Sequence, residues 1–519
     1  MRLGSALVYW VVFSQPIGTE SGKGSSDSTT GAAGDKNNNS ADSGNSIDTE
    51  NHVLMLVTCQ ASDQDDQIKS TLDSLALTDH DDGRKLLLVM ADATWDVDGE
   101  RSQASLACLR LMQPSTPIES EKPTLSSLSD DPFSEDIYSG YYVVDSRRIP
   151  YVLVLRAPDQ DLVQEEYATW WKKKLILRWL YRVCFNEPIS SFEYALFERV
   201  RWLMGGESGP DVFDMLLVAE AGIECDRRSL CRMVGTLRRN EKVMGVCAQR
   251  VISNATENWL TRVQDYENHL SFHFTSAFES TLSAVQCLPS RFSLVRIKLR
   301  CPQGSHYPGH YSIPILVHPD VISCFVGNKA RTLHERSLLL QGAEDRYLTG
   351  LLHQTFPDRR IVYVPQGVYR SRATPDLLSF LQEQGRLLAS SFHTLWRQIW
   401  ILQLRGRFCC SLNFLALIEW LALVILPSAV LFSIVLMVMV AVGAAEEVEA
   451  LDALPVILAL CFMMAVVALQ PLLGICLGGG ERTFARNLYG AALFLVLLPF
   501  KTLALVLYVC FHSTGKFTF

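Results

Sequence analysis

The run HVLMLVTC (residues 52–59) decides the fold. It is apolar on successive residues and includes β-branched Val, which reads as a strand buried on both faces. DQDDQIKSTLDSLAL (63–77) follows and places Ile68, Leu72 and Leu75 on one helical face. RKLLLVMAD (84–92) is a second buried strand. Strand, helix and strand within about forty residues make a βαβ unit, and therefore a parallel sheet. The alternation continues with a strand at IPYVLVLRA (149–157) and a basic amphipathic helix at WWKKKLILRWLYRV (170–183). A strand at FDMLLVAEA (213–221) and a helix at RRSLCRMVGTLRR (227–239) come next. The pattern predicts an α/β fold with a doubly wound, mostly parallel sheet. Ligands of such sheets sit at the carboxyl ends of the strands, which here are Thr58–Cys59, Asp92 and Glu220–Gly222.

Upstream of this unit, residues 19–50 are rich in Ser, Gly, Asn and Asp. They cannot bury enough apolar surface to fold and read as a disordered linker. Residues 1–18 place Arg2 before the apolar run ALVYWVVF, which resembles a signal peptide but is too short to span a bilayer and lacks a clear cleavage site. Downstream, residues 255–300 read as helix plus strand, and ERSLLLQGAEDRYLTGLLHQ carries an acidic patch that opens a helix. Residues 375–407 form a basic amphipathic tract whose Trp396, Trp400, Arg397, Arg405 and Arg407 suit a headgroup interface.

The last hundred residues hold three apolar blocks, at 411–445, 451–475 and 485–511. Each is long enough to cross a ~30 Å hydrocarbon core at ~1.5 Å per residue. Block one is basic before and acidic after (Glu446, Glu447, Glu449), and Arg482 and Arg486 follow block two. That alternation predicts about three spans within 408–519, with the α/β domain of 51–374 in the cytosol. The lipid bilayer is thus an expected partner. Glu419 and Lys501 lie inside the blocks and either mark a polar path or face the protein interior. A net charge of −8 argues against nucleic acid as a partner. The fourteen cysteines show no zinc-binding spacing and read as reduced thiols.

In order along the chain, several segments resemble those of the chitin synthases, processive family 2 glycosyltransferases of GT-A type. LMLVTC (54–59) and STLDSLALTDHDDGRKLLLVMAD (70–92) resemble the family's opening nucleotide-binding unit. FNEPISSFEYALFERVRWLMG (185–205), GVCAQRVISN (245–254), VQDYENHLS (263–271), AFES (277–280), CLPSRF (287–292), AEDRYLT (343–349) and SFHTLW (391–396) follow at the family's spacing. The resemblance implies a GT-A domain joined to membrane helices. It also implies transfer of N-acetylglucosamine from UDP-GlcNAc to a growing β-1,4-linked chitin chain with export, in a multi-pass protein of the plasma membrane. Mg2+ or Mn2+ is the cofactor it implies. A homodimer, or a hetero-assembly with an active chitin synthase, is the assembly expected.

Such a reaction needs positive charge on the diphosphate, a base for the acceptor hydroxyl and a site that holds the chain end. By resemblance, Asp345 in Glu344-Asp345-Arg346 is the candidate base, with Glu344 and Arg346 beside it. Thr58 and Asp92 map to the uridine and phosphate contacts, although a Tyr and a Gly of the family are Gln60 and Ala93 here. An acidic residue that follows Thr58 in the family is displaced to Asp63. Glu220 stands for the first carboxylate of the family's Asp-x-Asp metal motif, and Gly222 for the second, which supplies no ligand. The family's Gly-Lys-Arg-Asp-Ser-Gln segment falls on ATWWKK (168–173), whose lysines are expected on a solvated or headgroup-facing helix side. Cys287 and Pro289 match the acceptor motif, but Ser290-Arg291 replace its Gly-Cys. Arg386 alone survives from Gln-Arg-Arg-Arg-Trp, whose Trp is Leu387 here. These losses cluster on one function. They predict weak or lost activity, the alternative being a non-catalytic membrane partner of an active chitin synthase.

Overall fold

A computed structural model describes residues 51–92, 102–112, 136–156, 168–205, 212–281, 285–300, 312–326 and 344–401, together with short pieces at 417, 419–421, 488–490, 492–494 and 496–497. The N-terminal run, the linker and most of the three apolar blocks lie outside the described residues. Among the described residues no helix is long and apolar enough to cross a membrane.

The opening βαβ unit forms as the sequence predicts. Strand β1 (Val53–Cys59) and strand β2 (Lys85–Asp92) pair in parallel in continuous register, and helix α1 (Asp65–Ala76) connects them. Every residue of both strands is buried. Leu54, Leu56, Leu86 and Leu88 face one layer, and Val53, Met55, Leu87 and Val89 face the other. Each such fully buried side chain contributes about 1.5–3 kcal/mol relative to exposure. Helices cover both faces, which accounts for a continuous rather than an alternating apolar pattern.

The remaining strands are β3 (Asp136–Val144), β4 (Arg147–Arg156), β5 (Met215–Glu220), β6 (Ile223–Cys225), β7 (Val243–Ile252), β8 (Phe292–Arg296), a short hairpin pair β9 (Lys298–Arg300) and β10 (Ser312–Pro314), and β11 (Arg360–Ser371). Seven of them join β1 and β2 in one nine-stranded sheet, in the order β3-β4-β2-β1-β5-β8-β7-β11-β6. Strands β4, β2, β1 and β5 run parallel, as does the β7–β11 pair. Strands β3, β8 and β6 run antiparallel to their neighbours. The expected mostly parallel sheet is therefore a mixed, parallel-rich one. Strand β8 is the physical reason: it inserts antiparallel between β5 and β7 and reverses direction in the middle of the sheet.

Helices α2 (Gln103–Met112), α3 (Ala168–Cys184), α4 (Ser191–Leu203) and α5 (Ser229–Arg239) pack around the sheet. Ile68, Leu72 and Leu75 of α1 and Leu230, Met233 and Leu237 of α5 share one layer. Ile176 and Trp179 of α3 and Leu196 of α4 share the other. A buried carboxylate fixes α3 on α4. Glu193 accepts from the Ser190 amide at 2.9 Å in a capping box and bonds Arg178 at 3.0 Å and Arg182 at 2.6 Å. Burial would push this carboxyl up, but the amide and the two guanidiniums hold it below the usual carboxylate range. The N-terminal turn of α3 is thereby aimed at the ends of β1 and β2.

Residues 259–281 run as helix α6 (Trp259–Leu270), a π-helical stretch (Ser271–Ser276) and helix α7 (Ala277–Thr281). Helix α8 (Pro319–Phe325) follows. Helix α9 (Glu344–Thr355) begins at the acidic motif, and α10 (Leu377–Ile401) is the predicted amphipathic tract.

Candidate active site

The carboxyl ends of β1 and β5 bound a cavity of about 210 Å³. Its lining includes Thr58, Gln60, Asp63, Glu220, Gly222 and Arg291. Thr58, next to last in β1, is buried and donates to the Ala219 carbonyl of β5 at 3.4 Å. Glu220 ends β5 in register with Thr58. The chain then turns through Ala221 and Gly222 into β6. Gly222 sits at φ +85°, a left-handed conformation that suits glycine. Its N–H and that of Ile223 donate to Thr71 Oγ1 of α1 at 3.0 and 3.1 Å. The second position of the metal motif is thus a tight backbone turn, pinned from below.

The lysines of ATWWKK depart from expectation. They do not face solvent: Lys172 is 0% exposed and Lys173 is 5% exposed. Lys172 Nζ lies 2.9 Å from Asp92 Oδ2 and donates to the Cys59 carbonyl at 2.5 Å, so it joins the ends of β1 and β2. Burial raises the Asp92 carboxyl above its usual range against the pull of Lys172. Lys173 Nζ lies 2.5 Å from Asp345 Oδ1 and 3.4 Å from Glu344 Oε1. Burial alone would lower the Lys173 ammonium; Asp345 and Glu344 outweigh it and hold the pKa above the usual lysine value. The long-range partners explain the burial, because a desolvated ammonium persists only where carboxylates and carbonyls replace its water.

The segment 287–291 ties the pieces together. Cys287 and Pro289 are half-buried. The Ser290 amide donates to Asp345 Oδ2 at 2.6 Å, and its hydroxyl donates to Glu220 Oε1. Arg291 Nε lies 3.7 Å from Glu220 Oε2, and its Nη2 donates to Glu383 of α10 at 2.9 Å. Candidate base and candidate metal ligand therefore share a single bridging serine. Arg346, the third member of the acidic motif, is directed elsewhere: both its Nη atoms lie 3.3 Å from Glu419 Oε1, at the start of the C-terminal apolar region. Arg386 lies on α10, and its side chain is outside the described residues.

Two chemical consequences follow. Both Asp345 oxygens are engaged, one by Lys173 and one by the Ser290 amide. A general base must present an oxygen to the acceptor hydroxyl, so an acceptor here would have to displace or share one of these contacts. The second concerns a divalent cation. Glu220 has both oxygens occupied by Ser290 and Arg291, and Gly222 has no side chain. Asp63, the remaining acid on the cavity wall, accepts from the Gln60 amide at 2.6 Å. Among the described residues no three His, Cys, Asp or Glu side chains converge on one point. A dication held by Glu220 would also be repelled by the Arg291 guanidinium, whose Nε stands 3.7 Å from the same carboxylate. The described residues do not fit the Mg2+ or Mn2+ that the resemblance implies.

Thr58, Asp63, Asp92, Glu220, Glu344 and Asp345 are thus assembled around one set of strand ends. Lys172, Lys173, Ser290 and Arg291 complete the arrangement. The sequence marks these four residues as departures at motif positions, while their roles rest on partners distant in the chain.

The family model for chitin synthases matches residues 32–513. Chitin synthase 4 of Gibberella zeae is 29% identical over 434 residues, which cover 80% of this chain and 35% of that protein. Chitin synthase 5 of Mycosarcoma maydis is 32% identical over 407 residues, 75% of this chain and 24% of that protein. Chitin synthase C of Emericella nidulans is 30% identical over 434 residues, 80% and 36% respectively. The chain spans about a third or less of the length of these relatives. Among solved structures, the mannosyltransferase PcManGT from Pyrobaculum calidifontis in complex with GDP-Man and Mn2+ aligns with 98% of this chain at 11% identity and a TM-score of 0.42.

Proposed function

Because the chain belongs to the chitin synthase family, we propose that its cavity binds UDP-GlcNAc and that it is a GT-A-type membrane glycosyltransferase whose transfer step is impaired. The observation that carries the binding half is the position of the cavity. It opens at the carboxyl ends of parallel β1 and β5, with Thr58 and Glu220 on its wall, where α/β sheets bind ligands. The polar partners of the sugar nucleotide would be Thr58 and Asp92, with the acceptor chain entering past Cys287, Pro289 and Arg386. In this reading residues 51–374 form the cytosolic domain, 375–407 lie at the membrane interface, and 408–519 cross the plasma membrane about three times.

The impaired half rests on the Lys173–Asp345 pair and on Gly222. The base is held in a buried ion pair at 2.5 Å, and the second metal carboxylate is a glycine at positive φ. These two observations equally support a second reading, a non-catalytic partner that binds the nucleotide sugar and assembles with an active chitin synthase or with its own copy.

Membranes containing the full chain, supplied with UDP-GlcNAc and either Mg2+ or Mn2+, separate these readings. Slow UDP release that Asp345→Asn abolishes is expected of the impaired enzyme. UDP-GlcNAc binding with no release at all points to the non-catalytic partner. Rapid formation of insoluble β-1,4 polymer would overturn both, and absence of any UDP-GlcNAc binding would overturn the nucleotide assignment itself.

A further inference from the structure

Three arginines gather on the side of the cavity away from β2. Arg291 and Arg372 line it. Arg250, on β7, donates through Nε to Ser371 Oγ at 2.6 Å and through Nη2 to the Arg372 carbonyl at 3.2 Å, and Ser371 is itself on the cavity wall. Burial and the neighbouring Arg291 charge pull the Arg250 guanidinium down to about 10, so the two cations sense each other. Glu220 and Glu383 offset the repulsion from the Arg291 side. Arg291 remains about a third exposed at 34%, so it is open to a ligand in the cavity it lines. Its hydrogen bond to Glu383 uses Nη2, one corner of a fork that carries five N–H donors.

Fixed guanidiniums at a cavity wall match phosphate oxygens, which they bind through paired, charge-assisted hydrogen bonds. The same wall is poor for a cation. Its one strand-end carboxylate already holds Ser290 and Arg291, and the neighbouring position is the bare Gly222 turn.

We propose that the cavity takes a nucleoside diphosphate without a divalent cation, its phosphate charge carried by Arg291 and Arg372 on its wall with Arg250 behind them. This rests on the assignment of the cavity as the nucleotide site, and goes beyond it by naming what replaces the metal.

The test is UDP binding to the purified full chain by titration calorimetry, in excess EDTA and in excess Mg2+ or Mn2+. The inference expects affinities that agree within about twofold in the two conditions. It also expects Arg291→Gln to weaken UDP by about tenfold or more, as the loss of a charge-assisted hydrogen bond implies. Arg250→Gln should produce a smaller loss. The comparison between EDTA and metal uses the unaltered chain, so it holds even if a variant misfolds. UDP binding that appears only with metal would overturn the inference and leave the nucleotide assignment standing. Absence of UDP binding in either condition would overturn both.

Discussion

Lys173 Nζ and Asp345 Oδ1 stand 2.5 Å apart with both side chains largely buried, and they join the second turn of α3 to the first turn of α9. The two residues are 172 positions apart in the chain. Glu344 adds a second carboxylate to the same ammonium at 3.4 Å. Removing the lysine would take the facing ammonium away from two shielded carboxylates. Lys173→Met is therefore expected to destabilise the fold by about 3–5 kcal/mol, the cost of breaking a buried pair. The difference from the unaltered chain should shrink as pH climbs through the Lys173 titration, because a raised ammonium pKa contributes stability that is complete below the ordinary lysine value and lost above the folded one. Thermal unfolding at several pH values measures both effects. A difference that stayed constant with pH would show that the ion pair is not what Lys173 contributes.

Asp63 lines the cavity beside Glu220, and burial raises its carboxyl above the usual range, with Glu220 and Asp92 adding to the rise against Lys172. A carboxyl raised in the fold contributes stability that is complete below its unfolded pKa and is lost as pH climbs through the folded value. Its charged form also repels an incoming diphosphate. Asp63→Asn should then raise the unfolding temperature and tighten UDP binding several-fold at neutral pH. The ratio of the two affinities should close towards one as pH falls through the Asp63 titration, and using a ratio cancels the titration of the nucleotide's own phosphate. Weaker UDP binding in Asp63→Asn at neutral pH would instead make Asp63 a direct ligand contact.

The parts of this architecture that the sequence announced are those set by local pattern. Continuous apolar runs at 53–59 and 85–92 identified strands covered on both faces, and strand ends pointed to Thr58, Asp92 and Glu220. The direction of β8 was not legible, since FSLVR reads the same in a parallel or an antiparallel neighbourhood and only distant pairing decides it. Lys172 and Lys173 were misplaced for a related reason. On a basic amphipathic helix a lysine pair looks solvated, and the groups that bury it, Cys59, Asp92, Glu344 and Asp345, come from other parts of the chain. Ser290 and Arg291 registered only as departures from a motif; the structure turns the same two residues into the bridge between Asp345 and Glu220.

Gly222 offers room for a side chain. A Cβ built there meets only Gln67 Cβ, at 4.0 Å, so the obstacle to a carboxylate is the positive φ of +85° rather than crowding. Left-handed backbone costs an ordinary residue about 1–2 kcal/mol, and Asp tolerates it better than most. Gly222→Asp should fold with a modest drop in unfolding temperature. On its own it should gain little affinity for Mn2+, because Arg291 still occupies Glu220. Combined with Arg291→Cys, it should make UDP binding respond to Mn2+. A metal response from Gly222→Asp alone would show that Arg291 does not compete for Glu220.

Arg346 connects the acidic motif to the C-terminal region through Glu419, with both Nη atoms 3.3 Å from the same carboxylate oxygen. Burial would lower the guanidinium pKa, but Glu419 outweighs it and holds it above the usual arginine value. The pair is partly shielded from solvent, at 17% and 22% exposure. Glu419→Ala should cost about 3–5 kcal/mol by removing the carboxylate that both Arg346 Nη atoms touch. Replacing both residues, Arg346→Met with Glu419→Met, should recover most of that loss, since a buried pair exchanged for apolar side chains is often neutral. A double-mutant cycle on unfolding temperature and on protease resistance of the C-terminal region tests this. Strong favourable coupling is expected because the two groups touch. Additive losses would mean that Arg346 is held by other partners, and that the acidic motif and the C-terminal region are not linked through this contact.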